Sequence, residues 1–360
     1  MNDYLSKIKP AVCQASAYTL SHFQAPVKIN QNENPYDLPD VIKRAIVESV
    51  EKMSWCRYPA FVPSRLIGKL AAFSGWKEEG ILVGNGSNEL IQALLMVTAE
   101  PGKRVVISEP TFTLYRLMST ILGAEPVSVL MTQGLQFDVP SLLEASRTAD
   151  VTILCRPNNP TGSMLEETAL RKILSAASGL VVVDEAYHEF SGTSAVPLLA
   201  EFSNLVVLRT FSKAMSMAGL RVGYLMTAPE LAGEIGKAKL PYNLNIFSMA
   251  AAEAAVEHAH LLRPVIQELV QERERILCEM KDIAAVKPYP SHANFVAFRT
   301  PLDANVVFES LYGEGILIRD VSRYPMLDKT LRVSVGTPDE NNRFLTSLRN
   351  LMRSVDQTPG

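Results

Sequence analysis

The stretch Leu205-Val-Val-Leu-Arg-Thr210-Phe-Ser-Lys213-Ala-Met-Ser-Met-Ala-Gly-Leu-Arg221-Val-Gly-Tyr224 decides how this chain is read. Its first four residues are uniformly apolar, the pattern of a strand buried on both faces of a parallel sheet. Polar residues follow at once, so Lys213 sits just past a strand end, with Thr210 and Ser212 before it and Arg221 beyond. An amine in an apolar pocket near other cations loses basicity, and a neutral amine condenses with an aldehyde to a Schiff base. Thr210, Ser212 and Arg221 supply hydroxyl and guanidinium donors suited to a phosphate. A lone lysine of this kind is ordinarily a surface residue. The functional reading depends on what else the fold delivers to the same place.

Two other apolar runs end in the same way. Val151-Thr-Ile-Leu154 empties into Arg156-Pro-Asn-Asn159-Pro-Thr-Gly162, and Leu180-Val-Val-Val183 empties into Asp184-Glu-Ala-Tyr187. Val105–Ile107 and Val127–Leu130 read as further strands, and Leu165–Ala177 as a helix. Such alternation indicates an α/β fold with a mostly parallel sheet flanked by helices. Ligands of these sheets sit beyond the carboxyl ends of the strands. Asn159, Asp184, Tyr187, Ser212 and Lys213 are therefore expected to converge. Ile81-Leu-Val-Gly84-Asn-Gly86-Ser87-Asn88 reads as strand, glycine turn and helix. The third glycine of a dinucleotide fingerprint is replaced by Glu89. What remains is a helix N-terminus at Ser87 and Asn88, a generic phosphate site.

The flanks set the organisation. Residues 1–30 read as an irregular arm, 31–259 as a large domain and 260–360 as a smaller C-terminal α+β domain. The latter holds strand-like Phe295–Phe298, Ile316–Ile318 and Leu331–Val335, a helix Ala304–Tyr312 and a closing helix Asp339–Met352. Pro264 is expected to kink or restart the helical stretch that follows Phe247. The chain has 360 residues, is 47% hydrophobic and 20% charged, and carries a net charge of -3. These values fit a globular enzyme and give no electrostatic footprint for nucleic acid. Four scattered cysteines without a CxxC suit a reducing compartment, with no disulfide framework and no metal site. Neither a signal peptide nor a membrane-spanning run is legible, so a cytoplasmic protein is expected.

One cofactor carries both an aldehyde and a phosphate: pyridoxal 5'-phosphate. It is an electron sink that the protein tunes. Its ring nitrogen needs a buried carboxylate to stay protonated, and Asp184 ends a fully apolar strand. Its phenolate oxygen needs donors, and Asn159 and Tyr187 are at hand. An aromatic is required over the ring face, and Phe112 lies in a suitable loop. Each has a plainer reading: Asp184 a helix cap, Asn159 a turn residue, Tyr187 and Phe112 core aromatics.

In order and spacing, Asn159-Pro-Thr-Gly162, Asp184-Glu-Ala-Tyr187, Ser212-Lys213 and Arg221 resemble the fold-type I pyridoxal-phosphate aminotransferases of classes I and II, over nearly the whole chain. Within that family the likeness is to the histidinol-phosphate aminotransferase subfamily. It rests on Asn32-Glu-Asn-Pro-Tyr36, Arg57-Tyr58-Pro59, Ser212-Lys-Ala-x-x-x-Ala-Gly-Leu-Arg221, Ile318-Arg319-Asp320 and Leu331-Arg332-Val-Ser-Val-Gly-Thr337. The resemblance implies Lys213 as the Schiff-base lysine and proton carrier, Asp184 on the pyridinium nitrogen, and Asn159 with Tyr187 on the phenolate oxygen. It implies Ser87, Asn88, Thr210, Ser212 and Arg221 around the cofactor phosphate. Tyr58 is expected to join them from a neighbouring subunit, which makes the protein a homodimer. Arg319, Arg332 and Tyr18 are implied as ligands of the substrate phosphate, and Asn34 as lining the substrate site. Phe112 departs from the tyrosine often found there: it stacks but donates no hydrogen bond. The expected reaction exchanges an amino group between L-histidinol phosphate and 2-oxoglutarate. An aromatic amino acid aminotransferase and a threonine-phosphate decarboxylase are the alternatives on the same fold. A non-catalytic nucleotide-binding α/β protein is the alternative outside it.

Overall fold

Strand formation follows the apolar runs. The computed structural model describes residues 3–15 and 23–356. In chain order the strands are β1 (Val27–Lys28), β2 (Ile81–Gly84), β3 (Arg104–Glu109), β4 (Glu125–Leu130), β5 (Val151–Cys155), β6 (Leu180–Asp184), β7 (Leu205–Thr210) and β8 (Gly223–Met226), followed by β9 (Lys287–Pro288), β10 (Phe295–Arg299), β11 (Ile316–Leu317), β12 (Arg319–Asp320) and β13 (Thr330–Ser334). Seven of them form one sheet in the order β2-β8-β7-β6-β5-β3-β4. It is parallel except at β8, which runs antiparallel to both its neighbours. Val181 and Val183 pack on one side of the sheet and Val182 on the other, so both faces of β6 are covered. Each fully buried valine or leucine contributes about 1.5–3 kcal/mol, which is why a continuous apolar run rather than an alternating one is stable here.

A second, antiparallel sheet has the order β12-β13-β10-β9. It packs with the helices Ala259–Lys281 and Pro338–Asp356 around a separate core that includes Phe295, Phe298, Leu331 and Phe344. The arm is less irregular than its sequence suggests. It forms a 3-10 turn at Asp3–Lys7 and a short helix at Pro10–Gln14, and β1 pairs in parallel with β11. Val27 and Ile29 are thereby buried in the core of the smaller sheet.

Two other expectations change. The run Ile316–Ile318 is not one strand. It divides at Ile318 because Ile316 pairs with Val27 while Arg319 pairs with Arg332, so its two halves belong to different sheets. Pro264 does not interrupt its helix. The break falls at His258, between the helices Ile246–Glu257 and Ala259–Lys281, and Pro264 lies in the second turn of the latter. Restarting so late means that proline forfeits one backbone hydrogen bond near a helix end rather than one in its middle. Among the described residues no helix is long and apolar enough to cross a membrane.

One close approach fixes the sheet to what becomes the site. Gly84, Gly223 and Thr210 lie side by side across β2, β8 and β7. The helix Ser87–Thr98 begins directly above them, and a Cβ on Gly223 would lie 2.3 Å from the Ser87 backbone nitrogen. Gly223→Ala is expected to force that helix end off the sheet and to lower stability by about 1–3 kcal/mol. Urea denaturation checks this as a lower midpoint with unchanged slope; an unchanged midpoint would show that the helix shifts freely.

Candidate active site

The register of the central strands explains the convergence. Cys155 is paired with Asp184, and Asp184 with Leu208, so β5, β6 and β7 end side by side. With strands about 4.8 Å apart, three adjacent ends span about 10 Å. The loops leaving them enclose a cavity of about 230 Å³. Asn159, Asp184, Tyr187, Thr210, Ser212, Lys213 and Arg221 all line it, as the sequence led us to expect. Ser87, Asn88, Phe112, Arg319 and Arg332 line it too.

One end of the cavity is built to hold an anion. The helix Ser87–Thr98 has Gly86 at its N-cap and no side chain capping its amides. Its first N–H groups and its positive dipole end thus remain available to a ligand. Gly86 has φ 76, and a Cβ there would lie 2.6 Å from Arg221 Nη2. Glycine is needed both for the backbone conformation and for the guanidinium to lie against it. Arg221 Nη1 donates to Ser212 Oγ at 3.2 Å, and Thr210 Oγ1 donates to Ser212 Oγ at 3.0 Å. Hydroxyls, a guanidinium and a helix terminus therefore meet at the joined ends of β2, β8 and β7.

Asp184, at the end of β6, also lines the cavity and is 4% exposed. Its Oδ2 accepts from Tyr115 Oη at 2.7 Å and its Oδ1 from the Ala186 amide at 3.0 Å. Burial pushes its carboxyl above the ordinary aspartate value, opposed by these two hydrogen bonds. Tyr187 is also buried, and its hydroxyl accepts from Asn32 Nδ2 at 3.0 Å. Its ring meets Phe295 of the smaller sheet edge-on at 5.2 Å.

Lys213 lines the same cavity. Its amine donates to the Gln31 carbonyl at 2.9 Å and lies 6.0 Å from the centre of the Tyr187 ring. Desolvation first, then the nearby Arg332 and Arg221 cations, lowers its pKa from 10.5 to about 8.

The smaller sheet supplies the remaining wall. Arg319 and Arg332 are direct partners across β12 and β13, so their side chains rise from the same face. Arg332 donates through Nη1 to Asn159 Oδ1 and through Nη2 to the Asn30 carbonyl, and lies 5.2 Å over the Phe295 ring. No carboxylate lies within ion-pair distance of Arg319 among the described residues. Its neighbour Asp320 instead accepts from the Ser322 amide.

Two sequence candidates lie elsewhere. Asn34 lines an adjoining cleft rather than this cavity. Its Nδ2 donates to the Ala214 carbonyl at 3.2 Å and its Oδ1 accepts from the Tyr36 amide, so it braces the loop that carries Lys213. Tyr58 is 80% exposed and stacks on Tyr242 at 4.5 Å, away from the cavity. Tyr18 lies outside the described residues. Sequence reasoning missed Asn32, Tyr115, Cys155 and Tyr324, all of which line the cavity. Tyr115 stands three residues after Phe112, in the first turn of the helix that follows it, and that nearness in sequence was the available signal.

The residues present fit pyridoxal phosphate. The uncapped helix end with its glycine cradle suits the phosphate, the buried Asp184 suits a protonated ring nitrogen, and Phe112 at the cavity wall offers a flat apolar face.

Residues 25–348 match the family described as aminotransferase class I and II, and the chain belongs to that family. A histidinol-phosphate aminotransferase of Chlorobium luteolum is 38% identical over 98% of this chain and 99% of its own length. The histidinol-phosphate aminotransferase of Sinorhizobium meliloti, solved in complex with pyridoxal-5'-phosphate, superposes with a TM-score of 0.87. It is 26% identical, with 97% of this chain and 98% of that one covered. The corresponding enzyme of Clostridium acetobutylicum gives a TM-score of 0.86 at 25% identity, covering 91% and 99%.

The electrostatics of Lys213 can be read directly. Pulse labelling of the cofactor-free protein with an amine reagent should give a midpoint near pH 8 for the Lys213 peptide, against about 10.4 for exposed lysines. Arg332→Gln removes a neighbouring cation and should move that midpoint upward. A midpoint at the ordinary lysine value would show that the amine is hydrated.

Proposed function

We propose that this chain is a pyridoxal-phosphate-dependent aminotransferase of histidine biosynthesis, exchanging an amino group between L-histidinol phosphate and 2-oxoglutarate. The observation that carries the choice of substrate is the Arg319–Arg332 pair across β12 and β13. Like charges directly opposed on one sheet face repel. A doubly charged phosphate between them turns that repulsion into two charge-assisted contacts. Histidinol phosphate has such a group and no α-carboxylate.

When bound, pyridoxal phosphate supplies an electron sink for negative charge developing at the substrate α-carbon. Asp184 holds the proton on the ring nitrogen, and Asn159 and Tyr187 orient the ring through its phenolate oxygen. Ser87, Asn88, Thr210, Ser212 and Arg221 bind the cofactor phosphate, while Phe112 covers the ring face. Lys213 moves the proton between the substrate α-carbon and C4' of the cofactor, as base and then as acid. Desolvation and neighbouring cations lower its pKa to about 8, which makes the amine easier to deprotonate near neutral pH than an ordinary lysine of about 10.4.

The same reading includes a cytoplasmic homodimer. Tyr58, Phe61, Leu240 and Tyr242 present an exposed apolar surface, and Tyr58 is assigned to the cofactor phosphate of the partner subunit. Residues 31–259 would form the cofactor domain and 260–360 the smaller domain, with 1–30 as an arm. A hydrophobic core around Phe295, Phe298 and Phe344 supports a separate smaller domain, and that core also takes in Val27 and Ile29 of the arm and Tyr187, Phe190 and Ala214 of the larger one.

Two experiments test these assignments. Arg319→Ala should weaken histidinol phosphate by one to two orders of magnitude, from the loss of roughly 1.5–3 kcal/mol of charge-assisted bonding. Phenylalanine and tyrosine as donors should be nearly unaffected; equal losses on all donors would make Arg319 structural. For the shared site, inactive Lys213→Ala protein mixed with Tyr58→Ala protein should regain activity on subunit exchange. Hybrid dimers then hold one site with both native residues. No recovery in a demonstrated hybrid rejects the role of Tyr58 across the interface.

A further inference from the structure

Tyr115 is wholly buried, the second residue of the helix Leu114–Leu122, and its ring meets Phe112 edge-on at 5.6 Å. A phenylalanine would fill that apolar site equally well. The hydroxyl is costly to bury unless it finds a partner, and its partner is Asp184 Oδ2 at 2.7 Å. The other oxygen, Oδ1, takes the Ala186 amide. Each carboxylate oxygen thus has one protein donor, and a further lone pair is left to face the cavity.

We infer that Tyr115 is a positioning residue for Asp184, holding the carboxylate charged and aimed into the cavity. This rests on the reading that Asp184 serves the cofactor's ring nitrogen. The other titratable groups around Asp184 do not substitute for it. Cys155, paired with it on β5, is buried and its thiol is pushed up by desolvation and by Asp184 itself. Glu185, the next residue along, faces Arg209 at 3.0 Å and adds repulsion. Tyr187 donates nothing to Asp184; its hydroxyl accepts from Asn32. Lys213 favours the carboxylate through space but bonds to the Gln31 carbonyl. Tyr115 is itself made harder to ionise by burial and by Asp184, so it stays a donor at working pH.

The sign of the effect follows. Burial raises the folded-state pKa of Asp184 above its unfolded value, so its charged form opposes folding above the unfolded pKa. Removing the Tyr115 donor raises the folded pKa further and enlarges that penalty on the alkaline side only. Cofactor-free protein should therefore lose more melting temperature through Tyr115→Phe at pH 8 than at pH 5. In an Asp184→Asn background that pH-dependent part should vanish. In the loaded enzyme the acid limb of kcat/KM should move up by about one to two pH units, the effect of one hydrogen bond to a charge. A melting deficit equal at all pH values, or one whose pH dependence persists in the Asp184→Asn background, overturns the inference and makes Tyr115 a packing residue. Should a fully loaded Asp184→Asn enzyme keep wild-type turnover, the role of Asp184 at the ring falls, and this inference with it. Coupling that is absent while turnover still requires Asp184 overturns the inference alone.

Discussion

The burial of Asp184 and the partial burial of Lys213 at the carboxyl ends of adjacent strands form the constraint on which the rest of the site depends. Desolvation drives both groups toward their neutral forms, and the protein answers each differently. Asp184 receives two donors, Tyr115 and the Ala186 amide, which favour the anion. Lys213 receives a single carbonyl and two cationic neighbours, which leave the amine easily deprotonated. The hydrogen bonds thus favour charge at one strand end, while at the next the amine gives up its proton more readily than an ordinary lysine does. That asymmetry comes from the hydrogen bonds and charges around each group.

Three consecutive residues tie this arrangement to the smaller sheet. The Asn30 carbonyl accepts from Arg332, the Gln31 carbonyl from Lys213, and the Asn32 side chain donates to Tyr187. Asn32 also donates through its amide to Ser334 Oγ at 2.8 Å. It adopts φ 55, a conformation asparagine tolerates better than most residues. The segment enters after β1, which is anchored on β11. The positions of the Lys213 amine, the Tyr187 phenol and the Arg332 guanidinium are thereby set by one backbone.

Much of this was legible in the sequence because it depends on local pattern. The runs 151–154, 180–183 and 205–208 could be read as buried strands, and a parallel sheet brings their ends together whatever lies between. Lys213, Asp184, Tyr187 and Asn159 follow from that rule alone. The contacts that tune them were not legible. Tyr115 reaches Asp184 over 69 residues and Asn32 reaches Tyr187 over 155, and no periodicity encodes such pairs. The division of the run at Ile318 was hidden for a related reason: which sheet a short strand joins is decided by its partners, Val27 and Arg332, not by its own residues.

The cavity holds two anion-binding ends of different construction. At the ends of β2, β8 and β7 the donors are a helix terminus, hydroxyls and Arg221, with Gly223 letting the Ser87 backbone approach and Gly86 letting the Arg221 guanidinium lie against the chain. At the smaller sheet they are two arginines on strands. Backbone amides in a fixed frame lose little freedom on binding and discriminate by shape. Guanidinium side chains carry full charge and are set by their own sheet. A permanently held phosphate suits the first kind of site, because its frame is part of the main sheet. A phosphate that must arrive and leave with each turnover suits the second, which sits on the separately packed smaller sheet. The two groups of anion donors thus belong to different sheets, and Lys213, bonded to the Gln31 carbonyl near Arg332, lies between them.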